Sequence, residues 1–214
     1  MLIALLAAAA VANAPLRTKP LATTHKPAAA APVHNKAKPA AKTQPKPKPA
    51  APAAPPPFDA ADPLAFAKLG MSQCYGPNVA NKTCASLVSF RDNGDGTLSN
   101  ISTVLISHDP VAVLKTITPV SVTDGAMCGQ ITADDIAAGT LTVEGNLLAS
   151  DAAAPYLAKI SAGMTPLYGH QICTSYSDNG KDLTAHIAFD GVARPEQDGE
   201  VLWVSDKDGY TVAP

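Results

Sequence analysis

Four sets of residues in this chain have types that could carry chemistry: two Asp-Asn-Gly stretches, three histidines, four cysteines and a few paired acids. The stretch RDNGDGTLSN, from Arg91 to Asn100, gathers acids, asparagines and glycines, and Asp178-Asn179-Gly180 repeats its core. A helix–loop–helix calcium loop takes oxygen ligands from positions 1, 3 and 5, glycine at 6 and a bidentate glutamate at 12. Counted from Asp92, the third and fifth positions are Gly94 and Gly96, and the twelfth is Thr103. Counted from Asp178, the third is Gly180, the sixth is Leu183 and the twelfth is Phe189. Neither count fits. Asn-Gly between alternating segments is instead a strong hairpin signal, because both residues tolerate positive φ. Both stretches are therefore expected to be hairpin tips.

The histidines of the C-terminal part are His108, His170 and His186. His108 precedes Asp109-Pro110, His170 closes a helical stretch, and His186 lies mid-strand on the face opposite Leu183, Ala185, Ile187 and Phe189. No His-x-His or His-x-x-x-His spacing occurs, and no Cys-x-x-Cys, so no metal or cofactor is expected. Gly-x-Ser-x-Gly, Ser-x-x-Lys and the glycine-rich phosphate loops are also missing. Asp134-Asp135 suits a helix start, and Glu196, Asp198 and Glu200 read as a solvated acidic loop. Asn81-Lys82-Thr83 and Asn100-Ile101-Ser102 match the N-glycosylation rule and are taken as chance matches. Trp203 and Tyr210 are the large amphipathic side chains singled out as binding candidates, since aromatics anchor interfaces.

Cys74, Cys84, Cys128 and Cys173 all fall in the C-terminal part. An even number in an exported chain points to two disulfides. Of three pairings, Cys74–Cys84 with Cys128–Cys173 is preferred, because the first pair is close in sequence and flanks the turn-rich YGPNVANKT.

The elements that would hold these residues read as α+β: a mainly antiparallel sheet with two principal helices, stabilised by disulfides. One helix is expected over DPLAFAKLGMSQC, capped at Asp62-Pro63. A second follows Ser150-Asp151, with Tyr156, Ile160 and Leu167 inward and a bend near Gly163 and Pro166. Thr132 caps a short helix in ADDIAAG, and TLTVEGNLL forms a small hairpin. VAVLKTI is a strand that Pro119 interrupts. Each half can be read as helix, cysteine, strand, Asp-Asn-Gly, strand, strand, which suggests a duplicated helix–three-strand unit.

The N-terminal part is of a different kind. Leu2 to Ala12 is an unbroken apolar run, suited to a secretory signal over residues 1–12 and too short to span a bilayer. Residues 13–58 are rich in Ala, Pro and Lys and hold Arg17 and seven lysines with no acid, a charge of +8. Residues 59–214 hold the other eight bases and all eighteen acids, a charge of −10. The arm has almost nothing large to bury and is expected to stay disordered. As polyproline it reaches on the order of 100 Å at ~3.1 Å per residue. Its Lys-Pro repeats resemble the periplasm-spanning segments of TonB-type proteins, a resemblance confined to low-complexity chain that implies no activity.

Together these features describe an exported, non-enzymatic envelope protein of the periplasm or extracellular space, tethered to the inner membrane. In this reading an acidic domain over 59–214 binds a protein or envelope polymer. The basic arm touches an anionic membrane surface or cell-wall polymer, and no nucleic-acid partner is expected. The alternative is a small periplasmic hydrolase that uses His170 or His186 with a nearby acid. The two readings differ in whether such groups converge within hydrogen-bond reach.

Overall fold

From Ser72 onward the chain alternates apolar and polar residues over long stretches. A computed structural model, which describes residues 57–214, turns these stretches into twelve strands. The expected signal over 1–12 and the arm up to residue 56 lie outside the described residues. Eight strands are β1 (Ser72–Asn78), β2 (Thr83–Asp92), β3 (Leu98–His108), β4 (Val111–Thr123), β5 (Ala126–Gly129), β8 (Ile172–Asp178), β9 (Leu183–Phe189) and β11 (Gly199–Val204). Each pairs antiparallel with the next in that order, and β11 returns to β1, so the sheet closes into a barrel. Four short strands decorate it: β6 (Thr140–Val143) on β4, β7 (Asn146–Leu147) on β6, β10 (Val192–Ala193) on β9, and β12 (Thr211–Val212) parallel to β2.

This corrects the expected α+β fold with two principal helices. Among the described residues, the only helix longer than two turns is α2 (Ser150–Met164); α1 (Ala133–Ala137) is five residues. The stretch after Asp62-Pro63 makes turns and a single 3-10 turn, Ala67–Leu69, which Gly70 ends at φ 78°. Ser72 to Cys74 are already strand. The stretch is too short before its glycine to repay helix nucleation, and closure of the barrel claims the residues after it. Without that helix the duplication also fails. The first half meanders through four long strands, whereas the second splits one edge of β9 between β10 and β11. Pro119 does not interrupt β4, which runs unbroken for thirteen residues. It lies between the segments paired to β6 and β5, where that edge of β4 has no strand partner, so its missing N–H leaves the ladder intact.

Smaller expectations hold. Thr132 and Asp135 form a reciprocal cap on α1. The α2 helix starts at Ser150 and gives way to a 3-10 turn over Thr165–Leu167. Its buried face is Ala153, Leu157, Ile160 and Met164, and Tyr156, expected inward, instead faces solvent. Both Asp-Asn-Gly stretches are hairpin tips. Asp92 Oδ1 accepts from Gly94 N–H at 2.7 Å, and Asp178 Oδ1 from Gly180 N–H at 2.6 Å. The acids that suggested a cation loop thus bond the turns they sit in.

Strand register fixes what lies inside. Leu114, Thr116, Thr118 and Val120 of β4 face the same interior as Val104, Ser102, Asn100 and Leu98 of β3, to which they pair. The interior is apolar at many positions and polar at others. Gln73, Ser86, Asn100, Ser102, Thr116, Thr118 and Thr174 are all buried. Gln73 Oε1 lies 3.1 Å from the Tyr75 hydroxyl and 3.2 Å from that of Tyr176, and the two hydroxyls are 2.9 Å apart. The described N-terminal segment covers one end of the barrel. Phe58 meets the Tyr176 ring edge-on at 6.4 Å, and Phe66 stacks on Trp203 at 5.6 Å. Elsewhere α1 packs on β4 and α2 on β6.

Burial makes both interior phenols harder to ionise. For Tyr75 the neighbouring Tyr176 adds to this effect, and for Tyr176 the hydrogen bonds with Tyr75 and Gln73 only partly offset it. A raised folded value means this contribution to stability is complete below the free-phenol value of ~10 and is lost as pH rises above it. In an ultraviolet titration, two of the five tyrosines should ionise only as the barrel opens. Reversible ionisation of all five near ~10 with the fold intact would contradict the buried pair.

Candidate functional site

The outer face of the β8–β9 hairpin brings together groups that stand apart in sequence. Alternation and register put Ser175 and Ser177 of β8 outward beside Thr184 and His186 of β9, with Ser175 opposite His186 and Ser177 opposite Thr184. Ser177 is thus the diagonal neighbour of His186 on one face, within reach of a long side chain. Its Oγ lies 2.8 Å from His186 Nε2. The other ring nitrogen, Nδ1, lies 2.7 Å from Asp198 Oδ2.

The chain places Asp198 with three backbone devices. After β10, Arg194 N–H donates to Ile187 O at 2.7 Å, laying the loop along β9. Pro195 begins a 3-10 turn, Pro195–Gln197, whose end is marked by Asp198 N–H donating to Pro195 O at 3.2 Å. Ile187 N–H then donates to Asp198 Oδ1 at 3.1 Å, so both carboxylate oxygens are engaged. Desolvation works against ionisation of this carboxyl. The His186 ring and the Ile187 amide outweigh it and hold the group below the ordinary aspartate range. Because a carboxylate only accepts, Nδ1 of His186 is the protonated nitrogen, and Nε2 of a neutral ring then offers its lone pair to the Ser177 hydroxyl. His186 and Asp198 keep 45% and 27% of their side-chain surface, so the line is open to solvent.

His170 forms a separate pair. Its Nδ1 lies 2.5 Å from Asp190 Oδ2, while Asp190 Oδ1 accepts from Gln171 N–H at 2.8 Å and Asp190 N–H donates to Gln171 O at 2.9 Å. The His170 ring first and the Gln171 amide second keep the Asp190 carboxyl below its usual range. This pair clasps the start of β8 to the β9–β10 turn and includes no hydroxyl. The two histidines the sequence offered as alternatives thus have different partners, and only His186 is joined to a nucleophile type. His108 is exposed at the end of β3.

Trp203 and Tyr210 fall on opposite sides of the barrel wall. Trp203 packs with the interior cluster beside Gln73, its strand partner, and its Nε1 has no protein hydrogen-bond partner. Tyr210 packs outside, against the small cluster of Cys74, Cys84 and Val204. The cysteines pair as expected, Cys74 with Cys84 and Cys128 with Cys173, leaving none free among the described residues. A groove of about 500 Å³ lies elsewhere, between α1 and α2, and is lined mainly by small residues such as Ala137, Gly139, Ala154 and Ala158. Among the described residues, no three His, Cys, Asp or Glu side chains gather closely enough to hold a metal ion. No protein-family model, curated protein or solved structure matches this chain.

Sequence reading missed the link between Ser177 and Asp198. Half of it was accessible. Once Asp-Asn-Gly is taken as the tip of a hairpin, the short turn pairs Asp178 with Leu183, and His186 then falls beside Ser175 and Ser177. Nothing local signals Asp198, which a proline-led loop carries back onto β9.

Proposed function

We propose that this protein is an exported, envelope-tethered binding module, in which a basic arm lies on an anionic surface and holds an acidic barrel away from it. Two disulfides support an oxidising compartment. The observation that carries the reading is the division of charge, +8 over residues 13–58 and −10 over 59–214, together with where the acids sit. The β2–β3, β4–β5 and β8–β9 turns share one end of the barrel and carry Asp92, Asp95, Asp124, Asp178 and Asp182. Phe58, at the start of the described chain, packs against Tyr176 at 6.4 Å, and Ala60 O lies against Gly125 of the β4–β5 turn. The described chain therefore begins at the acidic end of the barrel, which an anionic surface repels. The outer strands and the groove between α1 and α2 are left to meet a protein or polymer partner.

Basic residues near an anionic bilayer contribute up to ~1 kcal/mol each, screened over about 8 Å at physiological salt. The mature chain should sediment with phosphatidylglycerol vesicles at low salt and be released at high salt. A chain whose eight arm bases are changed to glutamine should stay in the supernatant. Salt-insensitive binding, or binding that survives those changes, would refute the tether.

A further inference from the structure

We propose that Ser177 is a nucleophile and that Ser177, His186 and Asp198 form an acyl-transfer site for short acyl esters carried on larger alcohols. This adds an activity to the tethered barrel and does not depend on the tether. The hydrogen bonds run in one line, from hydroxyl to Nε2 and from Nδ1 to carboxylate, at 2.8 and 2.7 Å. That order is what general-base activation of a serine needs. The acid fixes the tautomer and steadies the imidazolium, and the far nitrogen takes the hydroxyl proton. His170 serves as an internal comparison, because it has the acid but no hydroxyl.

The step balances without a cofactor. Oγ of Ser177 forms a bond to the ester carbonyl carbon while its proton moves to Nε2 of His186, and the carbonyl π pair moves onto its oxygen. As that pair returns, the bond to the alkoxy oxygen breaks, and the alcohol leaves with the proton from Nε2. Water, deprotonated by the same nitrogen, then attacks the acyl-serine and releases the acid, restoring the Ser177 hydroxyl and the neutral ring. The sum is ester plus water to acid plus alcohol, with no change of oxidation state.

The setting selects the substrate class. The site lies on the outer wall of a barrel, and its residues line neither the groove between α1 and α2 nor the one beside Cys128 and Gly129. An open site does not enclose a small molecule, but it admits an acyl group displayed on a bulky chain. The β5 ladder stops at Thr174, so Ser175 to Asp178 pair only with β9. Without an enclosed, water-free hole, transition-state stabilisation is modest, which suits esters and not amides.

The test uses the full chain and a fluorophosphonate probe, with the modified serine mapped by fragmentation mass spectrometry. Ser175 is a built-in control, since it is two residues away on the same exposed face and has no histidine hydrogen bond. Ser177 should carry the label at least roughly 100-fold faster than Ser175, in line with the ~10²–10⁴ range for a positioned general base. His186→Ala should remove that advantage, and Asp198→Asn should reduce it. His186→Gln, which keeps hydrogen-bonding reach but has no basic nitrogen, should behave like His186→Ala and decides the matter if the alanine chain melts early. Labelling of Ser177 no faster than Ser175, or labelling unchanged in His186→Gln, would overturn the proposal and leave the line as a structural clasp.

Discussion

Replacing Cys128 and Cys173 together with alanine should lower the melting temperature by roughly 8–16 °C, the larger of the two disulfide effects. The bond joins residues 45 apart in sequence that already face each other on β5 and β8. Its main action is therefore on the unfolded chain. Loop-closure entropy gives ~4 kcal/mol for a loop of that size, and a domain of this length shifts by about 2–4 °C per kcal/mol. The segment it closes contains α1, β6, β7 and α2, an insertion between two barrel strands that is otherwise joined to the barrel through the pairing of β6 with β4 and the packing of α1 on β4. The Cys74–Cys84 bond spans only 10 residues and should be worth about 3 kcal/mol on the same reasoning. Thermal melts of the two double variants would check the order. A larger loss from the short loop would show that native packing around the Cys74 cluster, and not chain entropy, sets the scale.

Leu114→Ala should cost about 2–5 kcal/mol, the range for deleting a buried leucine side chain. Leu114 is fully buried, faces the interior from β4, and pairs with Val104 on one side and Leu141 on the other. Its Cδ1 lies 3.0 Å from where a side chain on Gly139 would begin, so it also fills the joint between the barrel and the α1 segment. Ile117 is three residues along the same strand but points outward with half its surface exposed. Ile117→Ala should stay within about ±0.5 kcal/mol. Denaturant melts of this pair test the closed barrel sharply, because the inside and outside of one strand are predicted to differ by several-fold. Equal losses would mean that both faces of β4 are covered and that the barrel is not the right description.

Local chemistry was readable from sequence and long-range closure was not. Asn-Gly tips, the Thr132 cap, the start of α2 and the close cysteine pair all rest on interactions between residues fewer than about a dozen apart. Closing the barrel depends on β1 pairing with β11, where Tyr75 meets Val201, and no composition or spacing marks that contact. The helix expected after Pro63 shows the same limit. Its cap at Asp62-Pro63 is a sound local signal, but Gly70 ends the stretch within a single 3-10 turn and the residues after it pair into β1. At the outer face, the alternation that placed His186 on the solvent side of β9 was correct. Asp198, read as part of a solvated loop, was not expected there, because a backbone turn and the Ile187 amide bring it in.

Export and tethering make one spatial claim, that the arm lies on the surface and the barrel stands off it. Neutron reflectometry of the mature chain on a supported bilayer containing phosphatidylglycerol measures this directly. A thin basic layer is expected at the headgroups, then a hydrated gap, then a layer of barrel density, with all of the protein lost at high salt. Barrel density in direct contact with the headgroups, or a layer that persists at high salt, would contradict it.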